Sequence, residues 1–461
     1  MKLSTIARLH AASALLLGLL GARTDACSDF LLNTTTDSVV SGRTMDFDAD
    51  LASVVEVIPR GTSFQELPVY NCPECPDYQW ESKYGFIGFN MFGFNIAADG
   101  MNEKGLSAAE LYLIATEYPT PETTPSGSKD LDAEKPIVTS ICTYILGNYA
   151  TVDEVREGLK HIQIAETDGR IAAALLGKST GLGRTPLHIS IHDADGKNLV
   201  LEFIHGKVTL YDNVNAVLTN DPPLNKQLDK LHKNGFETYP GGYQPTERFL
   251  RLSALNHLVP YGYPHSPSDA TYLVATEEQR AISDTLHLLN TVVRPPSLEA
   301  TEWSIVRDHG RKKLYIRSTT NQLLRLIDLN QLDLSDRQSR RLIPVTFGNW
   351  YVDATGALLD ESNTARTVDL PARTKIEALI ESHFGNKSQP HMSLFVDQVK
   401  PESTMMWAAA ASPAQTSSGS VFVAGCVCGG LLTALVTVGS QKVLERMRRQ
   451  GYQGIADSNV A

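Results

Sequence analysis

Cys27, Arg43 and Asp46 offer the most chemistry in this chain, and Cys27 matters because of what precedes it. Lys2 and Arg8 give a basic start, Ala11 to Leu20 is an apolar run, and Thr24-Asp25-Ala26 ends in the small residues that a cleavage site uses. That pattern is a secretory signal, too short to span a membrane. Cleavage after Ala26 would leave one residue bearing both a thiol and a free α-amine. A thiolate is a strong nucleophile, and an α-amine titrates near physiological pH, at about 7.7–8.0. The amine can take the thiol proton and return it to an amine leaving group, as general base and then general acid. Nucleophile and base are covalently tied, so little orientational entropy is lost in aligning them. The plain alternative is a disulfide cysteine that lies beside a signal site. A lipid-modified cysteine is disfavoured, because Thr24 stands where a lipoprotein signal has Leu.

The elements that must position these groups come next. The run Leu31 to Thr36, the polar turn Thr36-Asp37-Ser38 and the run Val39 to Arg43 read as a hairpin, which would carry Arg43 and Asp46 back towards Cys27. A guanidinium beside the sulfur lowers the thiol pKa, and a carboxylate can orient the α-ammonium or the arginine. Taken singly, each charged residue also fits a solvated strand end.

A terminal Cys followed by Gly42-Arg43-Thr44-Met45-Asp46-Phe47 resembles the choloylglycine hydrolase and penicillin V acylase family, the cysteine-type N-terminal-nucleophile (Ntn) amidohydrolases. Further similarities follow in order: Asp99-Gly100-Met101-Asn102-Glu103-Lys104-Gly105-Leu106, then Leu218-Thr219-Asn220-Asp221-Pro222. Pro240-Gly241-Gly242 with Glu247-Arg248-Phe249 comes next, and Trp303 to Val306 with Tyr315 to Ser318 closes the set. The resemblance spans roughly residues 27 to 335. It implies an α+β fold, a four-layer αββα sandwich with two antiparallel sheets. It also implies Asn220 and Tyr112, with backbone amides, as oxyanion stabilisers, and Arg248 as a residue holding the Cys27 neighbourhood. Neither a metal nor an organic cofactor is called for. Tyr112 falls where bile-salt hydrolases have Asn and penicillin V acylases have Tyr, which points away from conjugated bile salts. The alternative for Tyr112 is an ordinary strand aromatic; for Asn220 it is an Asx turn before Pro222, and for Arg248 a surface ion pair.

The rest of the chain bounds the class. It has 461 residues, 42% hydrophobic and 20% charged, enough to bury a large core. A formal net charge of −11 and no basic cluster before the C-terminus leave a nucleic-acid role without an electrostatic footprint. Cys72-Pro73-Glu74-Cys75 sits in a proline-rich loop and reads as a local disulfide, since no second ligand pair for zinc accompanies it. Cys142 lies in an apolar, helix-like run from Ile137 to Leu146 and reads as a buried thiol. Thr116 to Pro136 reads as an exposed loop, either one wall of a substrate mouth or a plain insertion. Thr151 and Thr276 each open a helix with a capping box. His188, Ser190 and His192 share one face of a strand. With neither a third ligand nor an orienting acid in view, they read as the solvent face of a half-buried strand. Glu110 is an acidic residue in an apolar strand, facing water or lining the site. Asn33 and Asn386 occupy glycosylation sequons.

At the C-terminus, Val421 to Ser440 is long and uncharged enough to span a bilayer, and Lys442, Arg446, Arg448 and Arg449 follow it. The expected organisation is a signal peptide (1–26), an Ntn-hydrolase domain (27–400), a linker (401–420), a transmembrane helix (421–441) and a cytoplasmic tail (442–461). That places the Cys27 domain in a lumen or outside the cell, as a single-pass type I protein. The expected function is hydrolysis of linear C–N amides of small N-acyl amides through an acyl-thioester on Cys27. The alternatives are a catalytically inactive, membrane-anchored receptor module that keeps the fold, or an enzyme running acyl transfer in the synthetic direction.

Overall fold

The computed structural model describes residues 27–34, 37–47, 50–91, 96–121, 135–168, 185–261, 276–296, 300–335, 340–353 and 355–359. The expected signal, linker, membrane span, tail and domain limit at residue 400 lie outside them, as does Asn386. Among the described residues no helix is long and apolar enough to cross a membrane.

Alternating sequence builds two large antiparallel sheets. One has the order β14-β1-β2-β15-β16-β17, with β14 at Val217–Thr219, β1 at Ser28–Leu31, β2 at Val40–Phe47, β15 at Ala300–Asp308, β16 at Lys313–Ser318 and β17 at Arg325–Asp328. The other runs β13-β12-β11-β8-β7-β6-β3-β18. Its strands are β13 (Lys207–Asp212), β12 (Asn198–Ile204), β11 (Leu187–His192), β8 (Ser107–Tyr112), β7 (Ala97–Asn102), β6 (Phe86–Asn90), β3 (Val54–Ile58) and β18 (Arg341–Pro344), and two short pairs stand apart, β4 (Ser63–Gln65) with β5 (Gln79–Glu81) and β9 (Ile137–Val138) with β10 (Gln163–Ile164). The expected hairpin forms as the β1–β2 pair, with Asp29 opposite Arg43 and Ser28 opposite Thr44, but its first arm is Ser28–Leu31 rather than Leu31 to Thr36. The turn at Asn102 to Gly105 joins β7 to β8, and Gly105 adopts the φ of +85° that such a turn needs.

Helices cover both outer faces. Helix α1 (Ile141–Asn148) packs on β6, β7 and β8, with α2 (Val152–Gly158) following it. On the other sheet, after α3 (Leu224–Asn234), helix α4 (Pro245–Leu258) packs on β14 and β1, and α5 (Glu277–Asn290) on β2 and β15. The layers therefore run helix, sheet, sheet, helix, the expected αββα arrangement. Gly42 lets α5 approach: a Cβ there would come 2.7 Å from Thr285 Cγ2 and 3.0 Å from the Phe30 ring. Thr276 and Gln279 close a reciprocal capping box on α5. Thr151 caps α2 through the Glu154 amide, while Glu154 reaches back to Ala150 rather than to Thr151, so that box is only half formed.

Three sequence expectations change. The run from Ile137 is not one helix: Ile137–Val138 pairs in parallel with Gln163–Ile164, and helix starts only at Ile141. Thr116, at the head of the expected exposed loop, is buried and donates to the Leu187 carbonyl; most of that loop lies outside the described residues. The third concerns β11. Ile189 and Ile191 face the outer helical layer, where they pack in one cluster with Ile141, Ile145 and Leu146. His188, Ser190 and His192 therefore face inward, between the sheets, and are fully buried. They are not a solvent face; the helix-covered side took the apolar set. Cys72 and Cys75 form a disulfide, and Cys142 is a buried free thiol, both as expected.

Contact density divides the chain into two units. The first comprises residues 1–266 and 275–352 and holds both large sheets. Of the second, 267–274 with 353–461, the described part is Asp353 and the short helix Thr355–Leu359.

Candidate active site

Cys27 immediately precedes β1 and is buried, its thiol directed to the inter-sheet side beside Met45. Strand pairing explains the group around it. Because β1 lies between β14 and β2, residues following Val217–Thr219 and residues within Val40–Phe47 both reach Cys27.

Arg43 comes from β2. Its Nη2 lies 3.9 Å from Cys27 Sγ and donates to the Glu110 carbonyl of β8. Its Nε forms an ion pair with Asp99 at 3.1 Å, and the guanidinium carbon lies 5.1 Å from the centroid of the Trp303 ring. Asp46, three residues on, presents its main-chain carbonyl 3.9 Å from Sγ. Its carboxylate accepts from Thr301 at 2.5 Å and from Thr44 at 3.4 Å. Burial pushes the Asp46 carboxyl up to about 6, against the nearby positive charges of Arg248, Arg294 and Arg43.

Arg248 comes from α4 and secures the main chain rather than the sulfur. Its Nη1 donates to the Cys27 carbonyl and, at 2.6 Å, to Ser28 Oγ, while Nη2 donates at 2.8 Å to Asn220 Oδ1. Burial brings its pKa down to about 10, opposed by Asp46 and Cys27. With its oxygen occupied by Arg248, Asn220 turns its amide nitrogen outward, giving one N–H at 3.0 Å to the Tyr112 carbonyl. Tyr112 thus joins the site through its backbone. All six residues singled out from sequence, Cys27, Arg43, Asp46, Tyr112, Asn220 and Arg248, meet in one connected set of contacts.

Glu110 does not line the inter-sheet face. It lies opposite Ile189 of the outer cluster, so its side chain points to the helix-covered side, and burial pushes its carboxyl up to about 8. Burial, and after it the Glu110 charge, pushes the Cys142 thiol well up, leaving Cys142 an inert thiol.

Sequence reasoning missed the layer behind Arg43. Arg307 of β15 donates to both oxygens of Asp99, and through Nη1 to Asp29 at 3.1 Å and to Ser41 at 3.0 Å. His192 and Ser190 also bond Asp29, and His309 bridges Ser41 and the Gly105 carbonyl. Burial raises the Asp29 carboxyl's cost, but His192, Arg307 and Ser190 outweigh it and hold Asp29 well below the usual range. Burial pushes His309 down to about 3, so it is neutral. His188 has an acid as well, Glu202 of β12, at 3.2 Å. Ser190, His192 and Asp29 do not make a nucleophilic triad. Both Ser190 and Asp29 address the same His192 nitrogen, and all three are buried. The one trace in the sequence was the strictly alternating polar set of β11; Arg307 and His309 left none.

Residues 27–235 match the family described as linear amide C–N hydrolases, choloylglycine hydrolase family. A penicillin V acylase of Pectobacterium atrosepticum is 26% identical over 332 residues, covering 65% of this chain and 80% of that protein. A bile salt hydrolase/transferase of Clostridium perfringens is 26% identical over 258 residues, covering 50% and 71%. Among solved structures, penicillin V acylase from Agrobacterium tumefaciens superposes with a TM-score of 0.54 at 25% identity, covering 69% of this chain and 91% of that one. A conjugated bile acid hydrolase of C. perfringens shares the fold at a TM-score of 0.53 and 22% identity, covering 71% and 98%.

Proposed function

We propose, for a chain that carries a choloylglycine hydrolase family domain over residues 27–235 and is thereby a hydrolase of linear, non-peptide C–N bonds, that Cys27 is the nucleophile and N-acyl amides are the substrates. The observation that carries this is the placement of the Arg43 guanidinium 3.9 Å from Cys27 Sγ, where its positive charge favours the thiolate against the opposing effect of burial.

After cleavage behind Ala26, the freed amine takes the thiol proton and the sulfur attacks the amide carbonyl. Asn220 has a second Nδ2–H beyond the one given to Tyr112, and it would meet the developing oxyanion together with backbone amides near Tyr112. Collapse breaks the C–N bond, the ammonium returns its proton to the leaving amine, and an acyl-thioester remains. Water, deprotonated by the same amine, hydrolyses the ester and regenerates Cys27. Arg248 holds the Cys27 carbonyl through the whole cycle, and Asp46 would orient the terminal ammonium.

For substrate class we favour an apolar acyl part, fatty-acyl or phenoxyacetyl, over conjugated bile salts, because Tyr112 stands at the position that separates the two groups in the family resemblance. A secretory, lumenal or extracellular location is part of the same proposal. The Cys72–Cys75 disulfide supports it, since such bonds persist in oxidising compartments. The test is mass-spectrometric mapping of the N-terminus of protein from a secretory host, followed by assay of a panel of fatty-acyl, phenoxyacetyl and bile-acid amides. A chain starting at Cys27 that loses hydrolysis on Cys27→Ser, with its melting temperature kept, is the expected result. Hydrolysis that survives Cys27→Ala in a processed chain would overturn the mechanism. A blocked Cys27 amine with no hydrolysis would favour a binding module.

A further inference from the structure

We infer that Asp99 and Arg307 are positioning residues of this site, holding the Arg43 guanidinium against the Cys27 sulfur. The inference rests on the proposed role of Cys27 and adds a structural cause for its reactivity. Four side chains run in series through the inter-sheet layer. Arg43 pairs with Asp99 at 3.1 Å, Asp99 accepts from Arg307 at both oxygens, and Arg307 pairs with Asp29 at 3.1 Å. Asp29 lies two residues from Cys27 on β1. The series therefore starts at the sulfur and returns to the strand that carries it. All four are buried.

Such a series is expensive to keep. Each buried ion gives up its hydration, and apolar side chains of similar volume often replace buried ion pairs without loss of stability. Phe89, Met101 and Ile305 show that the same core accepts apolar filling. What an apolar layer could not do is fix a long guanidinium. Arg43 has one main-chain hydrogen bond, to Glu110, and one ring face, Trp303; Asp99 supplies the third restraint from a different strand. Arg307 in turn holds Asp99 with a planar fork that a lysine cannot reproduce.

The charged groups around Cys27 are Arg43 beside its sulfur, Asp46 next along β2, Arg248 of α4 on its carbonyl and Asp29 on its own strand, while the Glu110 carboxyl of β8 points to the far, helix-covered side. Asp99 and Arg307 stand behind Arg43, and Arg294 beyond Asp46. Positioning and mere charge balance predict opposite signs. If Asp99 were only a counter-charge, neutralising it would leave more positive charge near the sulfur and lower the thiol pKa. If it positions Arg43, its loss lets the guanidinium leave the sulfur, and the thiol pKa rises.

The experiment is the pH dependence of Cys27 alkylation by iodoacetamide in the full, processed chain, for wild type, Asp99→Asn and Arg307→Lys. Melting temperature is recorded, and kcat and KM are measured on an acyl amide that the wild type cleaves. Expected is an acid limb of alkylation raised by about one pH unit in Asp99→Asn and by less in Arg307→Lys. The kcat should fall about tenfold or more, with KM nearly unchanged. A folded Asp99→Asn whose limb is unmoved or lowered would sink the inference. So would an Arg307→Lys protein that matches wild type. Should Asp99→Asn fail to fold, Arg307→Lys, which keeps the charge count, decides alone. Alkylation reads the thiol without turnover, so a failed nucleophile assignment, seen as activity in Cys27→Ala, is distinguishable from a failed network.

Discussion

At the scale of single residues, the site is assembled from groups that cost stability. Asp46 is the clearest case. Its carboxyl is raised from 3.8 to about 6 by burial, so ionising it in the folded chain is unfavourable. The cost is absent below pH 4, where folded and unfolded chains both hold the proton. It grows as pH rises through the interval from 4 to 6, and is complete above it, at about 3 kcal/mol. Asp46→Asn in the unprocessed chain should therefore melt higher than wild type at pH 8, with the advantage vanishing towards pH 4, while hydrolysis by the processed form is lost. Calorimetry across that range checks it; an equal fall in melting temperature at every pH would show that the Asp46 hydrogen bonds to Thr301 and Thr44 outweigh burial. Cleavage before Cys27 adds an ammonium that Asp46 would orient, so the stabilisation should shrink in the processed protein.

At the scale of elements, β2 does most of the positioning, and its outer face matters as much as its inner one. Arg43 faces inward because Gly42 faces α5, where no Cβ fits. Gly42→Ala should push α5 off β2 and cost about 1–3 kcal/mol by overpacking. The strand that moves carries Arg43 and Asp46, so kcat should fall more than KM rises. Urea unfolding with parallel kinetics would measure both; full activity in a destabilised protein would mean that the strand holds its place and only the helix yields. The cap of α5 is a milder lever. Thr276→Ala removes one half of its box and should cost about 1 kcal/mol with activity intact, since the cap lies at the far end of a helix that packs on β2, β15 and α4 and gives no side chain to the site. A matching loss of kcat would show that α5 transmits order to Arg43.

At the scale of the whole molecule, the two sheets work as jaws around an interior that is partly charged. The proposed catalytic groups come from both sheets and from α4, drawn from residues as far apart as Cys27 and Arg248, with Arg307 behind them. All of them belong to the first compact unit, which reaches Val352. A polypeptide of residues 27–352 should accordingly unfold in one cooperative transition and retain the hydrolytic activity of the processed full chain. A broad transition or lost activity would show that residues beyond 352 complete the core. Net charge plays no part in this, because the charges that matter are buried pairs that cancel locally.

The division between sequence and tertiary structure follows from reach. Local chemistry was legible: the β1–β2 hairpin, the Thr276 box and the Cys72–Cys75 disulfide each depend on residues close together in the chain. Cys27 and the five residues around it could be named because their motifs stand as short strings, although nothing in those strings said that Arg248 would grip the Cys27 carbonyl rather than its sulfur. Burial of the second face of β11 could not be read. A half-polar strand has the same period whether its polar side meets water or another sheet, and here Asp29 of β1 supplied the partner from the opposite sheet. Arg307 and Asp99 are 208 residues apart and become neighbours only when the sheets close. Sequence determined which groups could do the chemistry; stacking the sheets decided which charges are dry, and so which can hold Arg43 against Cys27.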